Sequence, residues 1–238
     1  LSHVRTCMLR LKQFFFLFLF FIFFVANASV SLKPDSIERL LSSVNEKSRI
    51  NLYMLLVEAY KDSSLTKASD YAEKGLSLAT KYHDSVGQIN FNLKSAELLL
   101  NQGKSQTAIT RIIAAMEISE EIDDQQLIVL SHLQIGKCYT EIDQYELAIN
   151  YLNKALNIAQ KNKDDEGVIE ALNGLGNAVS KCGVARRNEA MNYYLRGLSL
   201  AEEIEKPALI SKLSNNLANI YLAQGYFDKS LNYYNKAL

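Results

Sequence analysis

The sequence predicts an all-α fold, a solenoid of paired antiparallel helices stacked side by side, and three observations predict it. The first is a period. "IGKCYTEIDQYELAINYLNKAL" from Ile135 returns 82 residues later as "LANIYLAQGYFDKSLNYYNKAL" from Leu217, with "LGNAVSKCGVARRNEAMNYYLRGL" from Leu175 between them and two residues longer, so the spacing is 40 to 42 residues. The second is a set of small residues at fixed places in each period, as helices that cross closely require. The third is composition: 48% of the 238 residues are hydrophobic, 22% are charged, and there are only two prolines. Apolar residues fall at helical spacing throughout, as in "YELAINYLNKALNIAQ", and no strand-like alternation competes.

Residues 1–28 stand apart from the rest. Arg10 and Lys12 precede an apolar block from Phe14 to Val25, and Ala26, Asn27 and Ala28 follow it as an A-x-A site. A basic start, a short apolar run and small residues at the exit suit a cleaved export signal. The run is shorter than the ~20 residues that cross a bilayer, so an uncleaved anchor is the lesser reading. Cleavage is expected after Ala28, and Met8 is read as the start of translation. Removal would take Arg5, Arg10 and Lys12 and no acid, leaving 23 of 26 basic residues against 26 acidic ones, a net charge of −3. That balance argues against nucleic acid or an anionic membrane as partner. Residues 29–47 form a linker in which Pro34, a capping Asp35 or Ser36, and Ile37, Leu40 and Leu41 on one face predict a short lid helix.

Residues 48–238 carry five units, each a helix of about 14 residues, a tight turn and a longer helix. Small residues recur in the first helices at Ala96, Gly136, Gly176 and Ala218, and twelve residues later at Ala108, Ala148 and Ser230, with Ala190 in place once the insertion is counted. Seven residues on come Ala115, Ala155, Gly197 and Ala237, each followed by Met116, Leu156, Leu198 or Leu238. The first unit is degenerate: Ala68, Gly75 and Leu76 fit, but Leu56 stands where a small residue is expected. Acidic turns at Asp84, Asp124 and Asp164 separate the units, with "EKPA" around Pro207 in that role, and "NQGK", "EIDQ" and "AQGY" mark the turns within them. The second helix of the fifth unit is expected to be half-finished at Leu238, as in the front part of a longer protein.

These units resemble tetratricopeptide repeats, whose pattern has a Leu-Gly or Leu-Ala step, an aromatic residue three positions on and two later alanines. Leu175-Gly176-Asn177 and Leu217-Ala218-Asn219 are similar to the longer Leu-Gly-Asn variety, as is the 40-residue period. The resemblance implies a right-handed superhelix in which no unit buries its apolar face alone, with the first helices lining the inner face. It also implies that Asn177 and Asn219, one residue after the small position, grip peptide. Lys137 takes that place in the third unit.

The residues themselves point the same way. Asn173 and Asn177 lie four apart on one open helical face, and Asn215 and Asn219 repeat them 42 residues on. Carboxamides both donate and accept, which suits an extended peptide backbone. Gln134 and Lys212 extend the same surface. The plainer alternative is a solvated helix face inherited by all units. His83 borders a turn, His132 sits among apolar residues, and neither has a ligand at metal spacing. Cys138 faces a packed position while Cys182 borders the inserted turn, so their phases differ and no disulfide is expected. Arg186 and Arg187 are expected on a loop.

No phosphate loop, carboxylate pair or activated nucleophile is present, so no enzyme, cofactor or metal is expected in these residues. Two function classes remain. One is an exported, periplasmic or envelope scaffold that binds a protein or extended peptide on its inner face. The other, by resemblance, is the periplasmic sensory module of a bacterial membrane signalling enzyme, a histidine kinase or diguanylate cyclase. That class places catalysis beyond Leu238 and gives membrane contact only through a downstream span or an uncleaved signal.

Overall fold

The computed structural model describes residues 33–238, so the expected export signal lies outside the described residues. The chain divides at Ser43 into two compact units. In the first, helix α1 (Pro34–Leu41) has Pro34 at its first position and Lys33 as an N-cap without a side-chain bond. Asp35 therefore sits inside the first turn, where it faces the positive end of the helix dipole, and is not the cap.

The second unit, 44–238, consists of five helix pairs: α2 (Arg49–Tyr60) with α3 (Leu65–Lys81), α4 (Ser85–Asn101) with α5 (Ser105–Glu121), and α6 (Gln125–Glu141) with α7 (Tyr145–Asn162). α8 (Asp165–Lys181) with α9 (Arg187–Glu203) and α10 (Pro207–Ala223) with α11 (Phe227–Ala237) complete the array. The first helices α4, α6, α8 and α10 run 17 residues, longer than the expected 14 and equal to their partners α5 and α9. For α4, α6 and α8 the reason lies in the acidic turns, while α10 opens on Pro207 behind Lys206. Asp84, Asp124 and Asp164 are N-caps whose carboxylates accept from the backbone N–H of Gly87 at 3.0 Å, of Gln126 and Leu127 at 3.1 Å, and of Gly167 at 3.0 Å. Each helix thus begins at the very next residue, with two of its orphan donors satisfied in the case of α6.

One backbone conformation serves all these junctions. His83, Asp123, Lys163 and Glu205, each just before the cap position, share φ values of 52 to 56° in the left-handed region. Within units the same role falls to Gly103, Asp143 and Gly225. The fourth unit differs: its two extra residues are absorbed by a 3-10 turn, Val184–Arg186, after which Arg187 opens α9. The expected loop at Arg186 and Arg187 is therefore helical.

Small residues mark the helix crossings, as predicted. A Cβ on Gly136 would stand 2.6 Å from Leu152 Cγ, and one on Gly176 would stand 2.4 Å from the Tyr194 ring. These are the paired positions of units three and four, small on the first helix and large on the second. The first unit reverses the sizes, with Leu56 fully buried at the first-helix place and Ala72 fully buried at the second-helix place. Its degeneracy is an exchange of large and small residues between two corresponding places, which conserves their summed volume.

Each core cluster draws on three successive helices. One joins α4, α5 and α6 through Ile89, Ile112 and Ile135, and another joins α6, α7 and α8 through Val129, Leu152 and Leu175. No pair encloses its own apolar face, so the units are stable only in company. Cys138 and Cys182 are both free. Burial pushes the Cys138 thiol up to about 11.

Candidate functional site

Five of the seven predicted binding residues meet in one groove. Gln134 and Lys137 on α6, Asn173 and Asn177 on α8, and Lys212 on α10 line a cavity of about 500 Å³ whose floor includes Leu152 and Gly174. The floor is close because Gly174 has no side chain: a Cβ there would stand 2.6 Å from Leu152 Cδ2. Leu130 and Gln134 also line an adjoining cavity of about 340 Å³ with Met54 and Glu58 of α2 and Lys94 of α4. The inner groove therefore runs along all five first helices.

Asn215 and Asn219 do not line either cavity. Both are exposed on α10, whereas their counterpart Asn173 is only 4% exposed. Equal phase does not give equal surroundings: α10 packs over the Asn173 face, and among the described residues no further first helix covers the Asn215 face. The expectation of an open face at Asn173 is corrected on this ground.

The carboxamides are tied into the fold. Tyr194 OH donates to Asn177 Oδ1 at 2.7 Å, and Tyr234 OH donates to Asn219 Oδ1 at 2.6 Å, so each asparagine after the small position latches the tyrosine of its own second helix. In the third unit Lys137 and Leu152 occupy those two places and no such latch can form. Asn216, which sequence reasoning passed over, donates from Nδ2 to Asn173 Oδ1 at 2.8 Å and to Asn177 Oδ1 at 3.3 Å, joining α10 to α8. The available signal was periodic: 42 residues before Asn216 stands Gly174, in the middle of the inner stripe of α8.

Charges in the groove are mostly paired between neighbouring first helices. Lys94 bridges Glu58 at 2.5 Å and Glu97 at 3.0 Å, Lys181 meets Glu141 at 3.5 Å, and Lys212 meets Glu170 at 2.7 Å. Partial burial opposes the Glu58 charge, and hydrogen bonds from Lys94 and Lys61 outweigh it and hold the carboxyl below its ordinary value. Lys137 is exposed and makes no ion pair or hydrogen bond among the described residues. It is the groove's uncommitted cation.

Other candidates resolve as structural. His132 is buried with Nδ1 2.9 Å from Ile128 O, and His83 holds a turn with φ of 52°. Arg186 pairs with Glu189 at 2.9 Å. Among the described residues no group of His, Cys, Asp and Glu could hold a metal ion, and no helix is long and apolar enough to cross a membrane.

Family models of the tetratricopeptide repeat match residues 87–161, 127–203 and 211–238. The chain is 30% identical over 95 residues to the response regulator aspartate phosphatase I of Bacillus subtilis (strain 168), covering 40% of this chain and 24% of that protein. It is 23% identical over 212 residues to the regulatory protein RapK of the same organism, covering 86% of this chain and 57% of that protein. The chain thus spans about a quarter and just over half of the lengths of these relatives. Among solved structures, the Rap conjugation gene regulator of the plasmid pLS20 in complex with the Phr* peptide superposes with a TM-score of 0.63 at 14% identity, over 85% of this chain and 65% of that one. At such identity the likeness is one of fold.

Proposed function

The chain belongs to the tetratricopeptide-repeat family, and on that premise we propose that it is a binding scaffold whose inner groove holds an extended peptide or an extended segment of a partner protein. The observation that carries this reading is the convergence of Gln134, Lys137, Asn173, Asn177 and Lys212 on one groove with an apolar floor. A groove of this composition offers apolar area for side chains and amides for backbone groups, the two things an extended segment presents. A solved structure of like fold is a complex with a peptide, which supports a peptide as the class of partner. Regulatory names among the relatives accord with a place in signalling.

The test is selection of a displayed random-dodecapeptide library on the protein, followed by affinity measurements on synthetic peptides. Replacement of Gln134 and Lys137 together by alanine is expected to weaken the selected peptides at least tenfold without changing helix content. Peptides that bind the double variant as tightly as the parent would remove the groove from consideration.

The proposal extends to place. Residues 1–28 direct export to the periplasm or cell envelope, on the strength of the Phe14 to Val25 block and the Ala26-Asn27-Ala28 site. N-terminal sequencing of the product is expected to start at Ser29. An intact apolar block in a membrane fraction would mean an anchor.

A further inference from the structure

Resting on the groove reading above, we infer that Asn216 sets the hydrogen-bond polarity of the groove, turning the Asn173 amide to match the Asn177 amide that Tyr194 holds, so that the N–H groups of both face the ligand and select its carbonyl oxygens. Tyr194 anchors the cluster. Its ring is 3% exposed, and burial raises its pKa to about 12, so the hydroxyl keeps its proton at any working pH. A buried O–H needs an acceptor, and Asn177 Oδ1 accepts from it at 2.7 Å, with the Ser180 side chain also against the hydroxyl. That fixes the Asn177 oxygen toward α9. The same oxygen takes a second bond from Asn216 Nδ2 at 3.3 Å, which fills both of its lone pairs.

Asn216 must therefore present N–H to this cluster, and its other bond, to Asn173 Oδ1 at 2.8 Å, turns the Asn173 oxygen inward as well. What remains of the two α8 amides is their Nδ2 hydrogens. These donate to nothing among the described residues, and both side chains line the groove. Asn173 is nine-tenths buried with its donors still unused. Such a site rewards a ligand with a run of acceptors, the backbone carbonyls of an extended segment, and offers nothing to its N–H groups. Asn216 is a positioning residue here, since it acts through Asn173.

The experiment uses a dodecapeptide selected on the wild-type chain, synthesised with acetyl and amide ends, and binding followed by fluorescence anisotropy. Asn216→Asp removes the N–H donor and forces the Asn173 amide to reverse while Tyr194 still holds Asn177, so affinity is expected to fall tenfold or more. Asn215→Asp adds the same charge at the exposed neighbouring position and is expected to change affinity less than twofold. Independently of any variant, peptide addition should shift the side-chain amide protons of Asn173 and Asn177 in NMR spectra of the wild-type protein. Unchanged affinity in Asn216→Asp, or unmoved Asn173 and Asn177 amide signals in the presence of a bound peptide, would overturn the inference while leaving the groove reading intact. A tight peptide indifferent to Gln134 and Lys137 would overturn the groove reading itself, and failure to select any peptide would sink both.

Discussion

At Gly136 one added side chain decides whether two helices can meet, because the space for a Cβ is already filled by Leu152. Gly136→Leu is expected to cost ~1–3 kcal/mol by overpacking. The reversed pair of Leu56 and Ala72 suggests the rescue: Leu152→Ala added to Gly136→Leu should recover part of the loss, which thermal unfolding of the single and double variants would show. No recovery would mean that the two sites do not share one contact. Asn173→Ala, which the sequence alone marks as harmless, should cost ~1 kcal/mol, since it strips a buried hydrogen bond from Asn216. The left-handed residues give an opposite-sign pair. Lys163→Gly relieves a φ of 56° and should stabilise by ~0.5–1 kcal/mol, while Lys161→Gly, inside the last turn of α7, should destabilise by about as much. Equal effects of the two changes in denaturant melts would contradict the turn assignment.

Among the elements, the first helices α4, α6 and α8 owe their starts to the aspartate caps. Asp124→Ala should cost ~0.5–2 kcal/mol, because two N–H groups of α6 lose their acceptor. Hydrogen exchange should then speed up at Gln126 and Leu127 first. The α2–α4 contact adds a pH dependence. Glu58 is held below its ordinary value of 4.5, so its contribution is complete above that value and is lost as pH falls through the lowered folded value. Amides of α2 should lose protection below pH 4.5, and Glu58→Gln should abolish that acid step while leaving the neutral baseline slightly less protected. An acid step of the same size in the variant would assign it to another carboxylate. Because the two side chains are 31% and 38% exposed, the pair's effect on global stability is modest.

For the whole molecule, the period is what turns modest local signals into a groove. A 40-residue repeat of inner-face positions brings α6, α8 and α10 together, so residues 78 positions apart, Gln134 and Lys212, share one cavity. Lys137, unpaired among cations that are otherwise bridged, should dominate the salt dependence of binding. Lys137→Ala is expected to flatten the decline in peptide affinity between low and high salt for acidic peptides, measured as the slope of log affinity against log salt. An unchanged slope would place the electrostatic contact elsewhere.

The sequence by itself determined the helix pairs, their phase, the small residues at each crossing and the stripe that lines the groove. Each of these follows from local chemistry repeated at a constant interval, and repetition makes weak signals readable. Only the tertiary structure decided which polar residues on that stripe are open. Asn173 and Asn215 hold equivalent places in the period, yet one is covered by the next unit and the other is exposed, because burial depends on the neighbouring unit and not on the residue's own. The same dependence hid Asn216, whose role exists only where α10 meets α8, and it separated the asparagines that latch tyrosines from the lysine left free to meet a ligand.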